Sequence, residues 1–376
     1  PLNTHAAASE GHQALLLIVA GSVVAGGLYA VAHRLGRPLR SVAVGRAVAV
    51  AAAAALVALG LLSHPVRRFE EFKEVPTNAR PSEVGFVRSH LVSGSGSGRW
   101  QFWSAAVREW KSAPLIGRGA GSYEAWWAEH GSFSYFVRNA HSLYLETLGE
   151  LGVVGFLLLV GALGYGTASG GASTLRRADG DRIVAASLLG VMAAFIVSAA
   201  VDWVWQLTVV SGVGLASLAL LLGSAGVADD VSNARVEERR PLRRVATGVA
   251  AVALCGAVIC IQALPWLADL QLGASRAAIR RGDDETALRR AIEAKTLAPW
   301  AASPYLQLAL IEESRDLATA EKWIGEALDR DSVDWRLWLV RARIETRAGE
   351  LARARQSLLR ATALNPRSPL FAGVGA

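Results

Sequence analysis

The sequence predicts an all-α protein in two parts, a polytopic transmembrane helical bundle of about six spans followed by an α-helical repeat domain. Three observations carry this. Of 376 residues 52% are hydrophobic and 19% charged, where an ordinary soluble domain keeps about a quarter charged. The uncharged residues are gathered into stretches of membrane-crossing length. After Trp266 the composition turns charged and begins to repeat.

Crossing hydrocarbon takes roughly 17 to 25 residues of apolar helix. Residues 14–32, 42–62, 142–166, 183–201, 207–223 and 245–264 meet that requirement. The second stretch holds Arg46 near its end, where the side chain can snorkel, and the fifth is short. The chain therefore divides into two transmembrane helices (1–63), a large loop with interfacial helices (64–141), four further transmembrane helices (142–265) and the repeat domain (266–376). It begins at Pro1 with no basic leader and cleavage site, and reads as the C-terminal part of a longer protein.

Arginine sets the orientation. Arg34, Arg37 and Arg40, then Arg176, Arg177 and Arg182, then Arg235, Arg239, Arg240, Arg243 and Arg244 fill three connections, which the positive-inside rule makes cytoplasmic. The net charge of +7 is thus an insertion signal, and no basic stripe with interleaved aromatics points to nucleic acid. The loop 64–141, the turn "VDWVWQ" at 201–206 and the repeat domain fall on the outer side. So do Trp100, Trp103, Trp110, Trp126, Trp127, Trp203, Trp205 and Trp266, a residue type that favours the membrane interface. Trp100, Trp103, Val107 and Trp110 recur at helical spacing, which predicts a helix lying flat on the outer leaflet; the alternative is a small loop core.

In the C-terminal part, "ALRRAIEAKTLAP", "AEKWIGEALDRDS" and "ARQSLLRATALNP" superpose Ala287, Ala320 and Ala354, and again Ala294, Ala327 and Ala361, at spacings of 33 and 34 residues. Small residues at fixed places in a period of about 34 match a tetratricopeptide-like array of roughly three repeats. Such arrays present a groove to a protein partner or serve as a structural cap. Asp329, Asp331 and Asp334 in "DRDSVD" lack the glycine and closing glutamate of a calcium loop and read as a solvated turn.

Several chemistries are excluded. Cys255 and Cys260 both lie in the last apolar stretch, so they staple no outer domain and make no metal site. The seven histidines are dispersed, no Walker loop, Rossmann fingerprint or nucleophile elbow occurs, and no cofactor is expected. What remains is "RNAHSLYLETLGELGVVGF" at 138–156, where Arg138 and His141 precede a helix bearing Glu146 and Glu150. Histidine can take a proton near neutral pH, and the forks of Arg99, Arg118 and Arg138 suit phosphate oxygens. Carboxylates at a membrane helix need a polar cavity or a cation, so Glu146, Glu150 and the turn residue Asp202 are candidates for sugar or polar-cavity contacts. A base, phosphate binders and an entrance from lipid suggest transfer from a lipid-linked phosphate; the bland alternative makes His141 a helix cap.

The same stretch resembles a known family. His141, Ser142, Gly152 and Gly155 fit H-[NSQ]-x9-G-x-x-G, and upstream Arg99, Trp103, Pro114, Leu115, Gly117, Gly119, Gly121 and Tyr123 are similar to a second block of the O-antigen ligase and polymerase superfamily. "VDWVWQ" also resembles members with a C-terminal repeat domain. The resemblance covers roughly 80–225 and implies a bacterial GT-C-type membrane glycosyltransferase in the cytoplasmic (inner) membrane. It would move a glycan from undecaprenyl diphosphate, at the outer face, to a glycan, lipid or protein acceptor. By the same resemblance His141 is the catalytic base and Arg99, with Arg138 as a further candidate, binds diphosphate without metal; Arg118 is a diphosphate candidate from its place in the same loop. The family's further arginine, in a Ser-Arg-Gly context, is absent from this sequence and would lie upstream. Alternatives are a repeat-unit polymerase of the same superfamily and a non-enzymatic membrane-anchored scaffold built on the repeats.

Overall fold

The computed structural model describes residues 65–75, 96–174, 179–233 and 241–373, and the chain divides into two compact units after Ser104. The first two expected spans, at 14–32 and 42–62, lie outside the described residues. Every described element is helical, with no strand among them.

In the first unit, α1 (Pro65–Lys73) sets Phe69 edge-on to Trp100 and Phe72 beside Trp103, each with ring centroids 5.5 Å apart. Gln101 Nε2 donates to Lys73 O at 2.6 Å and fixes the pairing. Trp100 and Trp103 therefore have aromatic partners within the loop.

Helix α2 (Arg99–Ser112) buries a face different from the tryptophan stripe. Phe102, Ala105, Ala106 and Glu109 point inward, at the three- to four-residue spacing of one helical face. After α3 (Tyr123–His130) come three apolar helices, α4 (Leu143–Thr174), α5 (Asp179–Val201) and α6 (Thr208–Asn233), which pack on one another. Leu163, Met192 and Phe195 form their shared core, with Tyr144 and Trp205 at its edge. Small residues let the backbones approach as they do in lipid: a methyl at Gly214 would lie 2.9 Å from the Phe195 ring, and one at Gly170 would lie 2.9 Å from Leu221.

The segments Leu143–Ala172, Arg182–Val201 and Gly248–Arg280 are long and apolar enough to cross a membrane, and Thr208–Gly223 is a shorter apolar helix. They coincide with the expected third, fourth, sixth and fifth spans. The last belongs to α7 (Pro241–Arg280), one helix that continues through Pro265 and through the expected domain boundary beside it. Its most apolar stretch is not buried within the protein, and Cys255 and Cys260 are free and exposed on it.

The C-terminal end of α7 pairs with α8 (Asp284–Leu297), α9 (Ala302–Glu312) with α10 (Leu317–Arg330), and α11 (Trp335–Arg347) with α12 (Leu351–Leu364), each pair stacking on the next. The six aligned alanines are all buried in these contacts. Asp283 and Asp316, 33 residues apart, cap α8 and α10 by accepting the Thr286 and Ala318 amides. The carboxylate of Glu345, almost wholly buried, is held by Arg341 at 2.9 Å and by the Ser357 hydroxyl at 2.7 Å.

Candidate functional site

The site is organised by an interruption in α4. Gly152, at φ 65° and ψ −167°, occupies a region of backbone space open essentially to glycine alone, and it breaks the helix after two turns. A break orphans carbonyls on one side and amides on the other. The segment 114–119 takes up both sets. Arg118 N and Gly119 N donate to Gly149 O and Glu150 O at 3.3 and 2.8 Å, while Val153 N and Val154 N donate to Pro114 O and Leu115 O at 2.9 and 3.1 Å. The two backbones touch: a Cβ at Gly117 would lie 2.2 Å from the Glu150 carbonyl, and one at Gly152 would lie 2.3 Å from Leu115 O. The glycines of the two sequence blocks are thus partners in one clasp. Gly119 and Gly121 also have positive φ, and Gly155 lies against Leu151 one turn further along α4.

His141 stands immediately before α4 at φ 55°, a left-handed backbone that costs a non-glycine residue on the order of 1 kcal/mol or more. Bonds on both sides hold it there. Ala140 N donates to Glu146 Oε2 at 2.7 Å, and Ser142 receives the Glu146 amide on its carbonyl at 2.9 Å and the Leu145 amide on its hydroxyl at 3.4 Å. The half-buried ring sets Nδ1 3.2 Å from Asn139 O. For that contact to be a hydrogen bond Nδ1 must carry the proton, which makes Nε2 the basic nitrogen of the neutral ring.

Behind this turn lies a group of carboxylates. Glu146 is buried, and Glu150 accepts the Tyr123 and Gly121 amides, so both serve the loop backbone. Glu109, fully buried on α2, accepts from Ser122 Oγ at 2.7 Å, and its Oε2 has no partner among the described residues. Burial pushes its pKa up to about 7, the Glu150 carboxylate adds to that shift, and Ser122 and Arg118 oppose it. Gly149 leaves room for the Glu109 head, since a Cβ there would lie 2.7 Å from Oε2. The Tyr123 hydroxyl, buried beside Glu109 and Glu146, is held well above its usual range by desolvation and by those two carboxylates.

Each of the expected arginines has local partners of its own. Arg118 donates from Nε to Ser112 Oγ at 2.7 Å and lies 4.8 Å over the Trp126 ring, which also stacks on His130. Arg138, largely exposed, pairs with Glu124 at 3.4 Å. Arg99 opens α2 in the first unit, its amide donating to Gly96 O at 2.9 Å. Asp202 accepts the Trp203 amide at 2.8 Å, within its own turn. That turn reaches the histidine segment through a different residue, with Asn139 Nδ2 donating to Gln206 Oε1 at 3.1 Å. No cluster of three His, Cys, Asp or Glu side chains among the described residues is placed to hold a metal ion.

Residues 6–160 match the family described as O-Antigen ligase. The matched stretch contains the clasp, His141 and the break at Gly152, while the turn of Asp202 and Gln206 lies beyond it. Within this stretch the chain is similar to O-antigen ligases, and with the apolar helices the match points to a membrane protein. No curated protein matches the chain. Sequence reasoning missed Glu109, Glu124, Tyr123 as a buried hydroxyl, and the Asn139–Gln206 bridge. Glu109 carried a signal: it continues the apolar and small-residue face of Phe102, Ala105 and Ala106, where a carboxylate must be buried.

Proposed function

We propose that this ligase-like segment transfers a glycan from undecaprenyl diphosphate to an acceptor hydroxyl at the outer face of the bacterial cytoplasmic membrane. His141 Nε2 removes the proton of the acceptor hydroxyl while that oxygen attacks the anomeric carbon. The bond from that carbon to the diphosphate oxygen breaks, and the leaving diphosphate keeps the electron pair. Arg99, Arg138 and Arg118 hold the diphosphate and balance its growing charge, a task that guanidinium forks perform without a metal ion. The repeat array, of tetratricopeptide type, stands on the same outer side and meets the acceptor.

The observation that carries this reading is the strained, doubly pinned backbone at His141 with Nδ1 3.2 Å from the Asn139 carbonyl. A capping role needs neither the left-handed backbone nor a fixed tautomer; a general base benefits from both. The test is transfer of labelled glycan from undecaprenyl diphosphate by the protein in detergent, wild type against His141→Ala, with chelator throughout. Loss of about 10² to 10⁴-fold at unchanged abundance is expected. Equal rates would return His141 to a capping role. A polymerase differs only in using a second lipid-linked glycan as acceptor, and would be recognised by a ladder of product lengths.

A further inference from the structure

The repeat array touches the loop that leads to His141. Arg336 Nη2 donates to Glu124 Oε1 at 2.6 Å, sharing that carboxylate with Arg138, and Arg367 donates to Glu129 O at 2.6 Å. Between these contacts lies a cavity of about 310 Å³, at the small end of the roughly 300–1,000 Å³ typical of small-molecule sites. One wall is the segment 133–137, which runs directly into His141; the opposite wall is the turn 331–336 of the array.

Its lining pairs flat apolar faces with carboxylates. Phe136 is 66% and Tyr135 41% exposed, and Trp335 stands across from them with its ring braced edge-on by Phe371. Asp331 uses Oδ1 for the Val333 and Asp334 amides, and Asp334 uses Oδ1 for the Arg336 amide. Asp334 Oδ1 also lies 3.5 Å from Arg336 Nη1, and no hydrogen bond to the Oδ2 atom of either aspartate is formed among the described residues. Asp334 is partly desolvated, and burial raises its pKa. Such an oxygen gains most from a hydroxyl donor. The exposed Phe136 ring and the half-buried Trp335 ring share the Arg336 guanidinium, 5.4 and 5.5 Å from their centroids, and together with the carboxylate oxygens left over from the amides they suit a molecule with apolar C–H faces and a rim of hydroxyl groups.

We propose that this cavity is a saccharide-binding site, in which a pyranose ring lies against Phe136 and Trp335 and donates hydroxyls to Asp331 and Asp334. The inference rests on the glycan-transfer reading, and the saccharide comes either from the lipid-linked donor or from the acceptor.

Binding is measured first in the His141→Ala protein, so that it does not depend on turnover. Tryptophan fluorescence is followed on titration with the lipid-free glycan released from the donor by mild acid, and separately with a lipid-free acceptor saccharide. Saturable binding of one of them, weakened about three- to tenfold by Phe136→Ala and again by Asp334→Asn, is expected. Whichever saccharide binds identifies the source, and in the active protein both variants should raise KM for that substrate with little change in kcat. Absence of binding by both saccharides, or affinities unchanged in both variants, would overturn the site. Saccharide binding without transfer by the wild type would refute the catalytic reading and leave this one standing. Suppression of saccharide binding by the charge-neutral peptide Gly-Ser-Gly-Ser at equal concentration would show a nonspecific groove and also overturn it.

Discussion

Two regions of this molecule bring helices into close approach by opposite means. In the repeat array, Ala294, Ala327 and Ala361 are fully buried, and neighbouring helices meet through methyl groups. In the clasp, Gly117 and Gly152 bring one backbone onto another with nothing between, and four backbone hydrogen bonds close the contact. A methyl contact can relax when it is crowded; a backbone contact has no side chain to move. The site is therefore built on the less forgiving of the two joints.

The largest effect is expected at the clasp itself. Gly152→Ala places a Cβ 2.3 Å from Leu115 O on a backbone that only glycine adopts, and should cost more than about 4 kcal/mol. Loss of folded protein in a detergent-extraction thermal assay checks it; a normal melting temperature would show that the two segments can part without harm.

Next comes Glu109, packed beside the clasp. Its pKa stands near 7 in the folded protein against about 4.5 in the unfolded chain, so the native state binds the extra proton between those values. The Glu109 contribution to stability is therefore fully present below about pH 4.5 and is lost as pH rises through about 7, by on the order of 3 kcal/mol. Glu109→Gln removes the Glu109 share of that decline, so the stability difference between variant and wild type should change across the same window. Parallel stability curves for the two proteins would remove Glu109 as the cause.

The smallest effect belongs to the array. Ala327→Leu overfills a methyl-sized space and should cost about 2 kcal/mol, with partial recovery as neighbouring side chains shift. If it proved as damaging as Gly152→Ala, the contrast between the two joints would fail.

The parts of this architecture legible in the sequence were those with a period. Hydropathy placed spans at 142–166, 183–201 and 245–264, where the apolar helices 143–172, 182–201 and 248–280 lie, because a nearly uncharged run of that length has few other uses, and the 33- and 34-residue spacing located alanines that all prove buried. Helix α7 overran its expected end because Pro265 lies within a helix that continues beyond it. The tryptophan stripe of α2 was legible as a periodic face, but not its neighbours: Trp100 and Trp103 rest on Phe69 and Phe72, while the buried face carries Glu109. Contacts such as Arg336 with Glu124, 212 residues apart, have no local pattern to betray them. The clasp was visible only as two glycine-rich blocks, with no hint that each was the other's partner.

That last point has a consequence for how such proteins can be compared. Pairwise covariation between alignment columns detects residues whose side chains compensate for one another. Gly117 and Gly152 have no side chains to exchange, and the bonds between their segments run through peptide groups common to every sequence. The tightest contact at the candidate site would therefore leave two invariant columns and no correlated signal between them, and contact maps inferred from sequence variation would be blank where this molecule is held most firmly.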